Sequence, residues 1–336
     1  MLSKNDKDTL IIVLKRMFGK NIINADYEVT KLDSGVCDNV RLITGIAETS
    51  TSEELSFKVI LKKQKKISPP LSRFDAEAWK REYYFYASDF YKLLDDNIGM
   101  PQCYHSEFLG EEYILWLEYI EGYKKDLTID DLEYISGKLG AFHGKIYTQP
   151  ELTSNISCLS FTHWMEKNIQ RRHKSPEYDY LRSEAFDVPE HLKCMLIEIE
   201  DNKEEILEKM KALPIVLFHG DFHDGNLFLK DGKIILYDWG HGAGLGYLGE
   251  DIANLIAEFG IDYCDLWVEY YRRFIPAYLK EFSEYMDISG IENFYIKEMI
   301  ILYWGYEIVQ AYMSAENEDD KAKQITALQQ IYDMGK

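Results

Sequence analysis

The stretch that most constrains the fold spans residues 214–238, with the sequence PIVLFHGDFHDGNLFLKDGKIILYD. Its first apolar run has the length and composition of a buried strand. A polar loop follows, and two further apolar runs flank an Asp-Gly pair, which is the pattern of a β-hairpin with a tight turn. Asp221, Asn226 and Asp238 therefore leave the ends of apolar strands. This position predicts a functional site rather than a solvated turn.

The overall composition limits the classes of protein and of partner. A chain of 336 residues is long enough for one large domain or two lobes, and 46% apolar with 14% aromatic residues indicates a globular protein. The 38 Lys and Arg residues face 58 Asp and Glu residues, for a formal net charge of -20. Such a surface repels nucleic acid and anionic membranes and favours cationic ligands. We therefore expect neither a nucleic-acid nor a membrane partner.

The cysteines and the apolar runs indicate the compartment. The five cysteines are odd in number and scattered, with no CxxC pair, which is typical of free thiols in a reducing environment. The apolar run at residues 10–14 is too short for a signal peptide and lies in a charged amphipathic segment. No apolar stretch approaches the roughly 20 residues of a membrane span. We expect a cytoplasmic protein, and the sequence does not indicate its oligomeric state.

The rest of the chain divides into a strand-rich first part and a helical second part. Apart from a helix at 7–18, the first part is predicted to contain strands at 27–32, 40–43, 55–62 and 114–120, and one long helix at 75–94. The second part is predicted to contain helices at 128–146, 157–173, 189–213, 249–259, 263–282, 291–313 and 322–332, with Pro276 kinking or breaking one of them. We divide the chain into an amino-terminal lobe (1–118), a hinge (119–124) and a helical lobe (125–336).

The spaced polar residues of the opening stretch match the needs of phosphoryl transfer from ATP. That reaction needs a group that orients the attacking hydroxyl, magnesium held by oxygen ligands, and fixed positive charge on the phosphates. Asp221 is predicted to orient the hydroxyl and accept its proton. Asn226 and Asp238 are predicted to bind Mg²⁺.

The strand-rich part supplies candidates for the positive charge. Lys62 follows the apolar run 59–61, and we predict that it contacts the α- and β-phosphates, held in place by Glu82. The hairpin around Ser34 and Gly35 is predicted to lie over the phosphates, because a small residue lets backbone amides approach an anion closely. A lysine followed by a basic loop is more often simply solvated. The assignment therefore depends on the whole set of residues.

That set resembles the aminoglycoside phosphotransferase and choline kinase superfamily. The residues that carry the resemblance are Lys62, Glu82, His219-Gly220-Asp221, Asn226, Asp238-Trp239 and Glu250-Asp251-Ile252-Ala253. The resemblance extends from about residue 27 to residue 259. It implies an α+β fold with two lobes like those of protein kinases, a small antiparallel-sheet lobe and a larger helical lobe. It also implies a small-molecule kinase that uses ATP or GTP with Mg²⁺.

The resemblance implies further roles and shows two departures. Glu118 and Ile120 are expected to offer backbone hydrogen bonds to adenine, and Asp251 is expected to brace the catalytic loop. The phosphate hairpin lacks the three-glycine pattern of protein kinases, and Trp239 stands where protein kinases have Phe, but both departures are typical of this superfamily. Since no expected catalytic position is missing, a pseudoenzyme is disfavoured.

Two other functions compete with this hypothesis. His219, His223 and His241 suggest a zinc hydrolase, but that spacing needs a helix, and the flanking glycines argue against one. A protein kinase or a non-catalytic nucleotide-binding protein shares the same architecture. The segment between Asp238 and Asp251 is too short for a long activation loop, so we favour a small acceptor.

The acceptor is predicted to be a cationic alcohol, such as an aminoglycoside-like antibiotic or an amino alcohol. Carboxylates neutralise ammonium groups, and aromatic faces attract them by about 0.5–2 kcal/mol each. Candidate contacts are His223 in the polar loop, and Trp304 and Glu307, which lie three residues apart on one predicted helix. A sugar or a macrolide remains an alternative acceptor. The acidic run 316–320 is predicted to be a solvated turn.

Overall fold

An antiparallel sheet of five strands forms the core of the amino-terminal lobe in the computed structural model. Its strands are ordered β1 (Ile22–Lys31), β2 (Val40–Thr49), β3 (Glu54–Lys65), β6 (Glu112–Glu118) and β5 (Cys103–Phe108). Alternate residues of β3 point inward, so that Phe57, Val59 and Leu61 are buried. The structure describes residues 2–32, 39–66, 78–149, 151, 165–167, 169, 176–240, 242–257, 261–291 and 294–336.

The first helix, α1 (Lys4–Phe18), covers one face of this sheet. It begins with a capping box, in which Ser3 and Asp6 bond each other's backbone amides, one turn before the predicted start. It ends at Gly19, whose positive φ of 63° suits a glycine. Asp6 also binds the ammonium group of Lys63 at 2.6 Å. The helix is thus fixed to the strand that carries Lys62.

The predicted helix 75–94 is shorter and is interrupted. Residues 75–77 lie outside the described ranges. A 3₁₀ turn (Ala78–Lys80) leads into α2 (Arg81–Ala87), and a second 3₁₀ helix covers Asp89–Leu93. The break occurs at Ser88, whose hydroxyl accepts a hydrogen bond from the Phe90 amide and begins the second helix. The two-residue strand β4 (Ile98–Gly99) follows.

Two long helices form the centre of the helical lobe. Helix α3 (Ile129–Thr148) begins with the predicted cap at Thr128, where Asp131 completes a capping box. It packs closely on α8 (Trp267–Ser283), because a Cβ atom at Gly140 would lie 2.1 Å from the Tyr278 carbonyl oxygen. The helix is not broken at Pro276, contrary to one of the predicted alternatives. Buried aromatic residues on both sides of the proline hold it in the core.

The remaining helices differ from the prediction at three places. The helix predicted at 189–213 is two, which meet at Asn202, and the one predicted at 291–313 contains a π-helical turn. The acidic run is largely exposed, as predicted, but only its first two residues lie in the turn between helices, because Asn317 caps a helix that begins at Glu318 and acidic side chains favour a helix amino terminus. Most of the helix predicted at 157–173 lies outside the described residues. The observed elements are α4 (Pro176–Leu181), α5 (Glu190–Asp201), α6 (Lys203–Met210), α7 (Glu250–Ala257), the 3₁₀ helix Ile261–Leu266, α9 (Ile296–Ile300), the π turn (Ile301–Gly305), α10 (Tyr306–Met313) and α11 (Glu318–Asp333).

The predicted hairpin is confirmed and holds the polar loop. Strand β7 (Ile215–Phe218) pairs with β10 (Gly244–Tyr247), and β8 (Leu227–Lys230) pairs with β9 (Lys233–Leu236). The turn residues Asp231 and Gly232 have positive φ angles of 51° and 77°, as a tight hairpin turn requires. Within the described ranges, no helix is long and apolar enough to cross a bilayer.

Candidate active site

The polar loop after β7 is held by a buried carboxylate from helix α7. The backbone amides of His219 and Gly220 donate to Asp251 at 2.8 and 3.0 Å. Burial raises the pKa of Asp251 to about 7, although these two hydrogen bonds act in the opposite direction. Gly220 has a φ of 80°, and a Cβ atom there would lie 2.6 Å from the Gly242 Cα atom. Asp251 therefore braces the loop, as the family resemblance implied.

Two buried side chains continue this support into the helical core. The Nε2 atom of His143 lies 3.7 Å from the Asp251 carboxylate, and its Nδ1 atom lies 2.7 Å from the Tyr278 hydroxyl. Burial lowers the pKa of His143 to about 3, so the imidazole is neutral and the contact is not an ion pair at neutral pH. Helices α3 and α8 thereby help to set the position of the loop.

Asp221 and Asn226 face each other within the loop. The Asn226 Nδ2 atom donates to the Asp221 carboxylate at 2.6 Å and to its backbone carbonyl at 3.0 Å. His223 lies beside both, with its Nε2 atom 3.0 Å from Asn226 Nδ2 and 3.9 Å from Asp221 Oδ1. The His223 Nδ1 atom accepts the Gly225 amide at 3.0 Å. The ring is therefore fixed at the edge of the loop.

Asp238 stands just beyond β9 in a left-handed backbone conformation, with a φ of 59°. Aspartate tolerates this conformation better than most residues, and it often marks functional sites. The next residue, Trp239, is buried and packs on Phe85 and His219 at centroid distances of 5.4 and 4.6 Å. The His219 Nε2 atom also contacts the Tyr237 carbonyl oxygen at 3.1 Å. Because Trp239 and His219 pack into the core, the Asp238 carboxylate remains half exposed and faces Lys62.

Lys62 connects the amino-terminal lobe to Asp238 of the helical lobe. Its ammonium group lies 2.8 Å from Glu82 and 3.0 Å from Asp238. Glu82 is buried and also accepts a hydrogen bond from the Tyr113 hydroxyl at 2.8 Å. Burial raises the pKa of Glu82, an effect that the nearby Lys62 opposes. The predicted strand ended at Lys62, but β3 continues to Lys65, so Lys62 projects from a strand interior and not from a loop.

Ile120 is the buried residue of the hinge, and no described residue uses its backbone amide. The Glu118 amide donates to the Gln102 carbonyl at 2.8 Å, which closes the end of β6. Ile120 is buried, and within the described ranges its amide donates no hydrogen bond. A buried amide without a partner costs free energy until a partner arrives. Ser34 and Gly35, the residues predicted to lie over the phosphates, are outside the described residues.

The donor atoms of the loop fit a magnesium ion better than a zinc ion. No hydrogen bond of the described residues uses the Asn226 Oδ1 atom, and Asp238 adds a carboxylate, so both supply the oxygen ligands that Mg²⁺ prefers. Among the described residues, no group of three or more His, Cys, Asp and Glu side chains is arranged to hold a metal. The zinc alternative also loses His219, which is buried against the Tyr237 carbonyl, and His241 lies outside the described residues.

The candidate acceptor residues fall into two places. His223 lies in the loop with Asp221. Trp304 lies in the π turn and Glu307 in α10, so they do not share one regular α-helical face as predicted. The Trp304 Nε1 atom is buried and has no hydrogen-bond partner among the described residues. Neither residue forms a described hydrogen bond or ion pair with the catalytic loop.

Three aromatic residues, one in the hinge and two near the hairpin, were not identified from the sequence. The ring centroids of Tyr123 and Phe228 lie 4.3 Å apart, and Phe228 stacks on Tyr237 with a centroid distance of 4.8 Å. All three side chains are partly exposed. The Tyr237 hydroxyl donates to the Gly225 carbonyl in the loop. The sequence signal that could have identified this surface is the position of two aromatic residues next to predicted metal ligands: Tyr237 immediately precedes Asp238, and Phe228 lies two residues after Asn226. These aromatic rings form a continuous surface from the hinge to the residue before Asp238, although the Tyr123 ring is tilted by 48° to that of Phe228.

Comparisons with known proteins found one matching family profile and several similar solved structures. A profile of the phosphotransferase enzyme family matches residues 56–281. An ethanolamine kinase from Plasmodium vivax is 17% identical, with coverage of 91% of this chain and 81% of that chain and a TM-score of 0.49. The choline kinase LicA from Streptococcus pneumoniae is 14% identical, with coverage of 96% and 99% and a TM-score of 0.47.

A thermostable mutant of the aminoglycoside phosphotransferase APH(4)-Ia is 13% identical, with coverage of 96% and 98% and a TM-score of 0.49. A comparison with curated protein sequences found no match. The family assignment therefore rests on the profile. Because the profile match extends over more than half of the 336 residues, the chain belongs to the phosphotransferase enzyme family and is a small-molecule kinase.

Proposed function

We propose that this protein transfers the γ-phosphoryl group of ATP or GTP to a hydroxyl group of a small cationic molecule. The observation that carries this proposal is the position of Lys62, which lies within 3.0 Å of both Glu82 and Asp238. It puts a fixed cation from the sheet lobe at the edge of a carboxylate-bearing loop from the helical lobe. Phosphoryl transfer requires this combination of charges.

Nucleotide binding is assigned to residues 1–118 and the hinge 119–124. The Lys62 ammonium group binds the α- and β-phosphates, and Glu82 holds it there because the buried carboxylate keeps its 2.8 Å contact. The unused Ile120 amide donates to the base, and the Glu118 carbonyl accepts from it. The surface of Tyr123, Phe228 and Tyr237 supports this assignment, since a purine stacks favourably on aromatic rings. Ser34 and Gly35 are assigned to the phosphates by resemblance alone.

Asp221 performs the proton transfer. As the hydroxyl oxygen of the acceptor bonds to the γ-phosphorus, the bond from that phosphorus to the bridging oxygen breaks, and the hydroxyl proton passes to the Asp221 carboxylate. The Asn226 amide holds that carboxylate at 2.6 Å, and Asp251 fixes the backbone that carries it. Asn226 and Asp238 would hold Mg²⁺, which would supply positive charge against the phosphates.

The helical lobe, 125–336, is assigned to the acceptor. A formal net charge of -20 favours a cationic molecule, and His223 lies 3.9 Å from Asp221 at the edge of the loop. Trp304 and Glu307 are candidates for an aromatic and a carboxylate contact with an ammonium group. The same charge disfavours nucleic acid and anionic membranes as partners. Scattered cysteines fit a cytoplasmic enzyme.

A screen for ADP release tests the proposal. The purified protein with Mg²⁺ and ATP is offered aminoglycosides, amino alcohols such as choline, macrolides and neutral sugars in a coupled assay. We expect acceptor-dependent ADP release with at least one amine-bearing alcohol, and nucleotide binding in the absence of an acceptor. Turnover of neutral sugars alone would contradict the cationic acceptor. Failure to bind ATP or GTP would contradict the kinase assignment itself.

A further inference from the structure

Tyr113 is a buried residue of β6 whose hydroxyl group contacts the carboxylate that holds Lys62. Tyr113 is 2% exposed, and it pairs with Gln64 of β3 on one side and with Phe108 of β5 on the other. Its hydroxyl donates to the Glu82 Oε2 atom at 2.8 Å. The Lys62 ammonium group lies 2.8 Å from the same oxygen atom. One carboxylate oxygen of α2 therefore receives donors from two different strands, β3 and β6.

The Tyr113 ring packs on α2 and on the 3₁₀ turn before that helix. It stacks on Trp79 at a centroid distance of 6.2 Å with an interplanar angle of 12°, and its centroid lies 6.1 Å from that of Tyr83. The Trp79 and Tyr83 rings also contact Phe108, at 5.8 and 5.3 Å. Because the hydroxyl of a tyrosine lies in the plane of a rigid ring, packing that fixes the ring also fixes the hydroxyl. The contact with Glu82 is thus set by the aromatic cluster.

The charge of Glu82 depends on its surroundings. Glu82 is 1% exposed, and a buried carboxylate is unfavourable unless it is paired. Burial raises the pKa of Glu82, and the charge of Asp238 acts in the same direction, whereas Lys62 and the Tyr113 hydroxyl lower it. A protonated Glu82 would no longer attract Lys62 electrostatically, and Asp238 would be the remaining carboxylate within 3.0 Å of the ammonium group. The Tyr113 hydroxyl therefore opposes the loss of this ion pair.

We propose that Tyr113 is a positioning residue for phosphoryl transfer, which acts by orienting the Glu82 carboxylate towards Lys62. The hydroxyl of Tyr113 holds Oε2 of Glu82, and this oxygen holds the ammonium group where the phosphates bind. Tyr113 itself contacts neither the nucleotide nor the acceptor. This inference rests on the proposed function and deepens it, because it assigns the support of the phosphate-binding lysine to a residue outside the predicted site.

Tyr86 provides a matched control for the hydroxyl of Tyr113. It belongs to the same apolar cluster and lies one turn after Glu82 on α2. Its hydroxyl is buried and has no hydrogen-bond partner among the described residues. Tyr113→Phe and Tyr86→Phe make the same chemical change within one cluster, but only the first removes a hydrogen bond to Glu82. Both variants should fold, since each keeps its packed ring, and thermal unfolding checks this.

Binding of MgATP without an acceptor, measured by calorimetry, tests the role of the hydroxyl. At pH 8, Tyr113→Phe should raise Kd by about 3–10-fold, the equivalent of one hydrogen bond. Tyr86→Phe should stay within about twofold of wild type, because it removes no hydrogen bond within the described part of the chain.

The pH dependence of Kd separates a positioning role from a general loss of packing. Removal of a hydrogen bond that lowers the pKa of Glu82 raises that pKa, so the affinity of Tyr113→Phe should begin to fall at a higher pH than that of wild type, by about one pH unit. Burial raises the pKa of Cys103 to about 11, so this thiol does not titrate near neutral pH. The titratable groups that act on Glu82 and are the same in both proteins are Lys62, Asp238, Tyr86 and Cys103.

A double substitution tests whether Tyr113 acts through Glu82. When Tyr113→Phe is added to Glu82→Gln, Kd should change by less than about twofold, because residues that act in one network are not additive. The proposal would be overturned by a Kd of Tyr113→Phe within twofold of wild type at every pH, by an equal loss in Tyr86→Phe, or by an undiminished loss in the Glu82→Gln background. Failure of the wild-type protein to bind MgATP would contradict the kinase proposal as well, so the two failures can be distinguished.

Discussion

Glu250, next to the loop-bracing Asp251, offers a quantitative test of how burial controls charge in the site. It is buried at the start of α7, and its Oε1 atom accepts the Tyr247 amide at 2.7 Å. Its Oε2 atom is buried and has no hydrogen-bond partner among the described residues. Burial raises the pKa of Glu250 from 4.5 to about 8, and the charge of Asp251 acts in the same direction. Glu250→Gln removes the charge of this side chain and keeps its size.

The expected magnitude follows from that pKa. A rise from 4.5 to about 8 corresponds to about 5 kcal/mol, at about 1.36 kcal/mol per pKa unit. The variant keeps an oxygen for the Tyr247 amide, but it places an NH₂ group where Oε2 has no partner, which costs about 1–3 kcal/mol. We therefore expect Glu250→Gln to stabilise the protein by about 2–4 kcal/mol where the wild-type carboxyl group is ionised.

The sign of the effect depends on pH. Because the folded-state pKa is raised, the carboxyl group favours the folded state fully below about pH 4.5, and this contribution is lost as pH rises through about 8. Urea unfolding of both proteins at pH 5, 7 and 9 measures the difference, with Glu204→Gln as an exposed control. The stability gained by Glu250→Gln should grow from pH 5 to pH 9. A variant that is less stable than wild type at pH 9, or a difference independent of pH, would refute the reasoning.

Two further substitutions test the contacts that assemble the site. Glu82→Gln removes the anion that holds Lys62 at 2.8 Å. Steady-state kinetics should show kcat/KM for ATP reduced roughly 10–100-fold, because a hydrogen bond to a charged group contributes about 1.5–3 kcal/mol. A reduction of less than threefold would count against a positioning role for Glu82. Gly220 and Gly110 have similar positive φ angles of 80° and 84°. Only at Gly220 would an added Cβ atom meet a neighbour, the Gly242 Cα atom at 2.6 Å. In urea unfolding Gly220→Ala should therefore lose at least about 1–2 kcal/mol more than Gly110→Ala, and equal losses would show that the close approach to Gly242 does not matter.

The sequence was most informative where chemistry and local geometry coincide. Asp221 and Asn226 lie five residues apart in one loop, and the Asp231-Gly232 pair requires a tight turn. Spacing alone therefore predicted both the loop and the hairpin after it. The cap at Thr128 was predictable for the same reason, because a capping box needs only residues three apart.

Features that depend on tertiary packing were not predictable from spacing. The apolar pattern around the π turn before Tyr306 fits a regular α-helix equally well, so the sequence does not predict the turn. Pro276 does not break α8, because burial against α3 outweighs the loss of one backbone hydrogen bond. The aromatic surface of Tyr123, Phe228 and Tyr237 combines residues from a hinge and two chain segments, and only the folded structure brings them together.

Substitution of the proposed base tests the central claim most directly. Asp221→Asn keeps the shape of the side chain and its contact with Asn226, but it cannot accept the acceptor's proton. With an acceptor from the screen, single-turnover and binding assays should show phosphoryl transfer slowed by roughly 10²–10⁴-fold, the usual contribution of a general base, and Kd for MgATP changed by less than about threefold. Asp224→Asn, at an exposed position of the same loop, should retain the wild-type rate. Transfer by Asp221→Asn within tenfold of the wild-type rate would contradict the account.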